Sequence, residues 1–347
     1  MSIIYFIIIL SVIVIIHELG HLMTAKYFYV YCQEFSIGMG PVIFKRHGKE
    51  TAFAIRALPL GGFVSMAGEE GVEAQDIPFE RTIKGITWWK QIIVMAAGAI
   101  MNVILAWVLF IVITMVQGQV VLPSEPVIQG FTEASAAQDA GFEIGDRVTR
   151  MTTDGEVSEV NSFDDISEHL SYFPQQETIF TIERGNETLD IALTPRWNEA
   201  ENRYLAGFQS KSNIKDISFW ESFRYGTEKM LDGSTAIFRS LSKLIRGIGL
   251  ENLSGPVGIY QVTAETTQSG LLPAISLIAL LSLNIGIFNL LPLPILDGGR
   301  ILLTVIEKIS GRKLGEKVEM IIMTIGVVLL VVLMLFATWQ DIMRLFV

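Results

Sequence analysis

The sequence predicts a polytopic α-helical membrane protein with four transmembrane helices, a small cytoplasmic membrane-associated β-sheet and an extracytoplasmic α/β domain. Three observations carry this reading. Half of the 347 residues are apolar and mean hydropathy is +0.46, values that point away from a soluble globule and toward several spans. Four stretches, from Ile3 to about Met23, Ile92 to Val116, Leu271 to about Leu296, and Ile321 to Phe336 with its flanks, suffice to cross a hydrocarbon core, which takes about 20 residues as helix. The net charge of −10 is concentrated between the second and third spans, where 122–219 carries 18 Asp/Glu against 7 Lys/Arg, leaving 18 acids and 19 bases elsewhere.

The first span (1–24) lacks a basic leader and a small-residue cleavage site before its polar end, so it is expected to stay in the mature protein rather than serve as a secretory signal. Cys32 is the single cysteine. It excludes an intrachain disulfide and leaves histidine and carboxylate to hold any metal. Basic residues flanking the spans set orientation: Lys26, Lys45, Arg46, Lys49, Arg56, Arg81, Lys84 and Lys90 in the loop 25–90, and Arg300, Lys308, Arg312, Lys313 and Lys317 around the loop 299–318. Both loops are therefore expected in the cytoplasm. The N-terminus, the acidic domain (119–212) and the C-terminus then lie outside, and the first and third spans run in parallel. An acidic outer face gives no footing for nucleic acid.

Within 25–90, short β-type runs at Gln33–Ile37, Val42–Lys45, Thr51–Arg56 and Gly62–Met66 alternate with glycine and proline punctuation. They predict a small sheet near the end of the first span. Its edge either takes an extended peptide by strand addition or only packs the loop. After the second span (91–118), the outer domain shows β-runs at Val127–Gln129, Arg147–Thr153, Thr178–Arg184 and Thr188–Leu193 and a helical run at Ser162–Leu170. Its segment Ala140-Gly141-Phe142-Glu143-Ile144-Gly145-Asp146-Arg147-Val148 resembles the PDZ pattern of a turn opening a peptide groove, though Gly-x-x-x-Gly-Asp is also an ordinary turn into a strand. The segment 213–270 is read as an amphipathic helix followed by a linker, with apolar residues at helical spacing from Phe219 to Ile248 and bases between them. This suits a helix on the outer membrane surface or one packed on the outer domain. The third span (271–298) precedes the loop, and the fourth occupies 319–343.

The chemistry begins at His17-Glu18-Leu19-Gly20-His21. Four residues of helix turn about 400°, so both imidazoles share one face and can grip one metal ion. Glu18 stands on the adjacent face, suited to act as general base and then general acid. On a soluble helix such a trio is usually a solvated face; at the end of an apolar span, ionisable groups are costly and point to function. A third ligand is needed. His169 lies in the outer domain and His47 in a cytoplasmic turn, which leaves carboxylate. In Asn289-Leu-Leu-Pro292-Leu-Pro294-Ile-Leu-Asp297-Gly-Gly two prolines break the third span, and broken backbone inside a membrane is tolerated where protein or water surrounds it. Asp297 is either the third ligand or a cap at the membrane surface, and the parallel course of spans one and three puts it at the depth of His21. Two histidines, one carboxylate and an open position suit catalytic Zn2+. The Asn289 amide either donates to an oxyanion or bonds another helix.

The His-Glu-x-x-His span, the PDZ-like segment and the Asn-x-x-Pro-x-Pro-x-x-Asp-Gly run together resemble the bacterial site-2 protease family, the RseP-type intramembrane zinc metalloproteases. So do Gly38-Met39-Gly40-Pro41, Arg56-Ala-Leu-Pro59-Leu-Gly-Gly62, Ala97-Gly98 through Asn102, and Ser254-Gly255-Pro256-Val257-Gly258. The resemblance spans nearly the whole chain. It implies zinc held by His17, His21 and Asp297, catalysis by Glu18, and Asn289, Pro292 and Pro294 near the substrate; because a helical substrate hides its carbonyls, the sheet edge with Gly62, Phe63 and Val64 is expected to receive it as an added strand. It further implies location in a bacterial plasma membrane with the active site near the cytoplasmic face. The expected substrates are transmembrane segments of proteins already cut by an upstream site-1 protease, such as anti-sigma factors, or signal-peptide remnants, with the PDZ-like domain as a size filter. One PDZ-like domain where some relatives have two, and Ala97-Gly98-Ala99 in place of Ala-Gly-Pro, are departures from the family pattern.

Overall fold

The computed structural model describes residues 2–344 apart from 70, 71, 73–75, 134, 200, 202, 212, 251, 252 and 313. Lys313, one of the bases used above to orient the chain, lies outside the described residues. The chain divides into two compact units, one of residues 1–116, 220–240 and 253–347, the other of 117–219 and 241–252. In chain order the elements are α1 (Ser2–Tyr27), β1 (Cys32–His47), β2 (Ala52–Met66), α2 (Trp88–Gln117), β3 (Gln119–Leu122), β4 (Gly130–Phe131), α3 (Ala136–Asp139), β5 (Arg147–Thr153), β6 (Glu156–Glu159), α4 (Phe163–Tyr172), β7 (Thr178–Arg184) and β8 (Glu187–Leu193). There follow β9 (Arg196–Asn198), β10 (Arg203–Leu205), β11 (Phe208–Gln209), β12 (Asn213–Asp216), α5 (Phe219–Ile245), α6 (Pro256–Gln268), α7 (Leu271–Asn289), α8 (Asp297–Ser310) and α9 (Glu316–Arg344).

Among the described residues four helices are long and apolar enough to cross a membrane: α1, α2, α7 and Lys317–Arg344 of α9. Ile and Val crowd α1, residues of modest helix propensity in water. In lipid the helix is imposed instead by the need to satisfy every backbone group internally. Close packing rests on small residues, as lipid-facing helices require. A Cβ on Gly20 of α1 would stand 2.4 Å from the Ala97 carbonyl oxygen of α2, and one on Gly286 of α7 would stand 2.9 Å from that of Ala99. Ile9 and Ile13 pack on Leu277, and the Ser282 hydroxyl donates to the Asn102 carbonyl at 2.8 Å.

The four β-runs read in the first loop are all present, carried by two long strands that fold back on themselves. Residues 34–37 pair in descending register with 65–62 and in ascending register with 52–55, while 44–47 pair back on 55–52. The segments therefore lie side by side as 62–66, 32–37, 52–56 and 42–47, with 62–66 on one edge. Gly38 makes the first fold possible: its φ is +86° and a Cβ would stand 2.5 Å from the Leu58 carbonyl oxygen.

Two helices depart from the sequence reading. The stretch after Ser254-Gly255 is α6, with Pro256 at its first turn, where a missing N–H is harmless; Gly258 N–H donates at 2.8 Å to the buried Asp341 carboxylate of α9. The loop expected at 299–318 is largely α8, which starts at Asp297 itself. Asp297 thus opens a helix rather than capping the end of one, a position that favours an acid. Both elements hide behind glycines that sequence rules assign to turns. Here those glycines admit a neighbouring backbone: a Cβ on Gly298 would stand 2.3 Å from the Leu290 and Leu291 carbonyl oxygens, and one on Gly299 would stand 2.1 Å from that of Leu293.

The second unit is built on an antiparallel sheet in the order β6-β5-β7-β8. Residues of β5 and β7, among them Val148, Met151, Phe180 and Ile182, form its core with Ile128, Phe142 and Ile166. The expected strand at Val127–Gln129 reduces to a bridge from Val127 to Arg147, with β4 just beyond. Helix α4 begins with a capping box between Ser162 and Asp165. In the turn before β5, the fully buried Asp146 carboxylate accepts Arg184 Nε and Nη2 at 2.7 Å and the Glu143 N–H at 2.8 Å. Burial alone would raise this acid; the guanidinium and the N–H bring it below the usual carboxylate range. The acid of the Gly-x-x-x-Gly-Asp turn is therefore the anchor of that turn.

His169 is buried in the same unit between the Thr153 hydroxyl and the Ser158 hydroxyl, both at 2.9 Å. Burial, with the Lys243 ammonium adding to it, lowers its pKa to about 4. An unfolded chain takes the proton near pH 6.5, so the folded unit loses stability as pH falls from about 6.5 to about 4. Full chain in detergent should show the protection of β7 amides fall by about 2–3 kcal/mol between pH 7 and pH 4.5 in hydrogen exchange corrected for intrinsic rates. His169→Gln should abolish most of that slope.

Helix α5, the helix expected after Phe219, divides between the two units. Residues 220–240 of α5 belong to the first unit, where Gly226 abuts Ile111 of α2 and Trp107 Nε1–H donates to the Thr227 hydroxyl at 2.9 Å. From 241 onward the chain belongs to the second unit, where the Lys243 ammonium lies 3.7 Å from the centre of the Tyr172 ring.

Candidate active site

Helix α1 carries His17 and His21 on one face, and the start of α8 brings Asp297 against them. His17 Nε2 and His21 Nε2 are 3.2 Å apart. Asp297 Oδ2 is 3.2 Å from the first and 3.4 Å from the second. A tetrahedral centre with bonds of about 2.0–2.1 Å to nitrogen and carboxylate oxygen separates its donors by about 3.3 Å. The three separations thus match one zinc ion, with a fourth position left over. Among the described residues this is the group of three His, Cys or acidic side chains placed to hold a metal. The other two histidines stand elsewhere, His47 at the exposed end of β1 and His169 in the core of the second unit.

The prolines explain how Asp297 arrives. Helix α7 stops at Asn289, and Leu290–Leu296 runs irregularly through Pro292 and Pro294 before α8 begins. Pro294 packs on α9, its Cβ 2.8 Å from where a Cβ on Gly326 would be. Arg300, one turn into α8, donates to Glu69 Oε1 at 2.7 Å, and Glu69 Oε2 accepts the Met66 N–H at 3.1 Å. That ion pair ties the start of α8 to the end of β2.

Glu18 points the other way, toward the sheet edge: its Oε2 accepts the Val64 N–H at 3.0 Å, and a Cβ on Gly62 would stand 3.7 Å from its Cγ. The 62–66 edge therefore passes directly beside the catalytic candidate. Phe63, between those two residues, lies under the Arg56 guanidinium, 5.1 Å from its ring centre. The Asn289 amide makes no hydrogen bond among the described residues, so the interhelical bond weighed above is not formed.

What the sequence reading did not assign is the contribution of α2. Its Val94 carbonyl accepts His21 Nδ1–H at 2.8 Å. Since a carbonyl can only accept, the proton is on Nδ1 and the Nε2 lone pair faces Asp297. Asn102, wholly buried, has its Nδ2 3.4 Å from His17 Nδ1. Between them Gly98 lets the rings approach, for a Cβ there would stand 2.3 Å from His21 Nε2 and 2.8 Å from His17 Nε2. The available signals were a glycine and an asparagine four residues apart in an apolar span, where a polar side chain is by default functional.

Residues 5–333 match peptidase family M50. The chain is 33% identical over 423 residues to the regulator of sigma-W protease RasP of Bacillus subtilis (strain 168), covering 99% of each chain. It is 32% identical over 424 residues to the zinc metalloprotease RasP of Bacillus licheniformis, again covering 99% of each. A membrane chain with a zinc-sized donor set, matched by this family along nearly its whole length, belongs to peptidase family M50 and is a zinc metalloprotease of the site-2 type.

Proposed function

We propose that this protein is an intramembrane-cleaving zinc metalloendopeptidase that hydrolyses peptide bonds within transmembrane segments of membrane proteins already shortened by a site-1 protease. Anti-sigma factors, in keeping with the name of the Bacillus subtilis relative, and signal-peptide remnants are the substrates that fit. The observation that carries the reading is the donor triangle of His17, His21 and Asp297, with separations of 3.2, 3.2 and 3.4 Å, set next to an acid that ligates nothing. These three residues hold the zinc. Bound there, zinc supplies a Lewis acid that polarises the scissile carbonyl and lowers the pKa of water.

Glu18 acts as general base and then general acid. The Val64 N–H fixes its Oε2, leaving Oε1 to take a proton from the attacking water as its oxygen bonds the carbonyl carbon. The same proton passes to the amide nitrogen as the carbon–nitrogen bond breaks. Asn289, its amide unengaged, donates to the oxygen on which charge develops, and the run through Pro292 and Pro294 lines the approach.

A helical substrate hides its carbonyls in intrachain bonds, so it must unwind locally before it can be cut. The 62–66 edge stabilises the unwound segment by pairing as an added strand, with Gly62, Phe63 and Val64 receiving it. Basic flanks place 25–90 and 299–318 in the cytoplasm, the site near that face, and the termini and the 119–212 domain outside. That domain, of PDZ-like pattern, filters substrates by size.

The test is a purified enzyme in detergent with a peptide carrying one transmembrane segment. Wild-type protein should hold one zinc and cut, while His21→Ala and Asp297→Ala should each lose zinc by at least about 100-fold in affinity and cut nothing measurable. Zinc binding unchanged in both would end the assignment. Strand addition is tested by Val64→Pro, which distorts the edge and also removes the N–H that Glu18 accepts. It should retain zinc and lower kcat/KM on the transmembrane peptide by about 10-fold or more, with a smaller loss on a short peptide that is already extended. Equal losses on both would leave only a local effect on Glu18.

A further inference from the structure

We infer that Asn102 is a positioning residue for His17, its side-chain oxygen accepting the His17 Nδ1–H when the ring's Nε2 is given to zinc. The inference rests on the reading of His17 as a ligand and extends it to the helix behind.

The two histidines are held from the same helix by different means. His21 Nδ1 is fixed by a backbone carbonyl, that of Val94, at 2.8 Å. His17 has no such partner: the polar group beside its Nδ1 is the Asn102 amide, eight residues after Val94 on α2 and so on a similar face, at 3.4 Å. Asn102 is fully buried in an apolar helix. Its backbone carbonyl is used by Ser282, but its side-chain Oδ1 is buried with no hydrogen-bond partner among the described residues. A buried acceptor left unused in the middle of a span is costly, and here it belongs to a group whose other end already faces a zinc-site ring.

The two ends of the amide match the two tautomers of the ring. With Nδ2 turned to His17, Nδ1 is the acceptor and the ring's single proton sits on Nε2, where it faces Asp297 Oδ2 at 3.2 Å. Zinc requires the Nε2 lone pair, so the proton must reside on Nδ1, and Nδ1–H needs an acceptor. A half-turn of the amide presents Oδ1 to it. Asparagine thus serves both states of the ring, which neither a backbone carbonyl nor an apolar side chain can do. A carboxylate at this position can serve the zinc-bearing state only.

The test measures zinc affinity, not turnover. Wild type, Asn102→Leu, Asn102→Ala, Asn102→Asp and His17→Ala are purified in detergent, and zinc is titrated against a competing chelator, with the thermal midpoint of each zinc-free protein measured alongside. Asn102→Leu and Asn102→Ala should bind zinc about 10–100-fold more weakly than wild type. Asn102→Asp, which still accepts from Nδ1–H, should bind within about threefold of wild type or more tightly. The inference is overturned if both apolar variants bind as wild type does, or if Asn102→Asp is as weak as they are. Should Asn102→Leu fail to fold, the comparison of alanine with aspartate decides. Loss of zinc in His17→Ala with none in the apolar Asn102 variants removes Asn102 alone, whereas His17→Ala binding normally removes the ligand reading beneath it.

Discussion

Glu18→Gln is expected to keep its zinc and lose about 10²–10⁴-fold in kcat on a transmembrane peptide, the range that a single general acid/base contributes. The substitution suits this site because it changes little else. Glutamine has the same length, and its side-chain oxygen can still accept the Val64 N–H that Glu18 holds at 3.0 Å. The sheet edge therefore stays in place, and the donor triangle, to which Glu18 contributes no atom, is untouched. What is lost is an oxygen that can bind a proton from water and release it to the leaving nitrogen. Initial rates measured with zinc content determined on the same preparation separate the outcomes. A rate within a few-fold of wild type at full zinc would move the base to another residue. A rate lost together with zinc would make Glu18 part of the metal site. The effect should fall on kcat with KM little changed, since a proton carrier acts in the transition state.

The parts of the site that were legible in the sequence are those fixed by local geometry or by span counting. The spacing of His17 and His21 needs only the helical period. The four segments of the sheet were readable because Gly38, Gly40 and the Pro59-to-Gly62 run punctuate them, and positive φ values of +86° and +82° at the first two glycines bear out the need for them there. Asp297 was reached by elimination and by span parity. Two elements were not legible, and for one reason. Gly298 and Gly299 were read as ending structure, and the run after Ser254-Gly255 as linker, when these glycines allow close approach: α8 curls against the carbonyls of 290–293, and α6 packs on Asp341, whose Oδ2 would lie 2.8 Å from a Cβ on Gly255. Whether a glycine is free or crowded depends on its neighbour in space. The same holds for Val94 and Asn102, whose service to the histidines follows from the packing of α2 on α1 and from no pattern within α2 itself.

That packing makes Gly98 the position where one methyl group should do the most harm. In Gly98→Ala the new Cβ would stand 2.3 Å from His21 Nε2 and 2.8 Å from both Nε2 and Cε1 of His17, so the rings must leave. They are not free to do so cheaply: His21 is bound at its other nitrogen by the Val94 carbonyl, and swinging the ring away gives up that bond. Zinc affinity should therefore fall by at least about 100-fold, with cleavage lost in step. Helix stability argues in the opposite direction, since alanine inside a helix is favoured over glycine by about 1 kcal/mol. In the zinc-free protein this gain offsets the roughly 1 kcal/mol lost with the Val94 bond when the imidazoles rotate away, so its thermal midpoint should stay near that of zinc-free wild type. Gly20→Ala provides the contrast, because its Cβ would meet the Ala97 carbonyl oxygen at 2.4 Å, and backbone cannot rotate away. It should lower the zinc-free midpoint by pushing α1 off α2. Chelator competition and thermal denaturation on the two variants distinguish a glycine that makes room for the metal ligands from one that makes room for a helix. A Gly98→Ala protein with normal zinc affinity would mean that α2 does not press on the two histidines as the distances require.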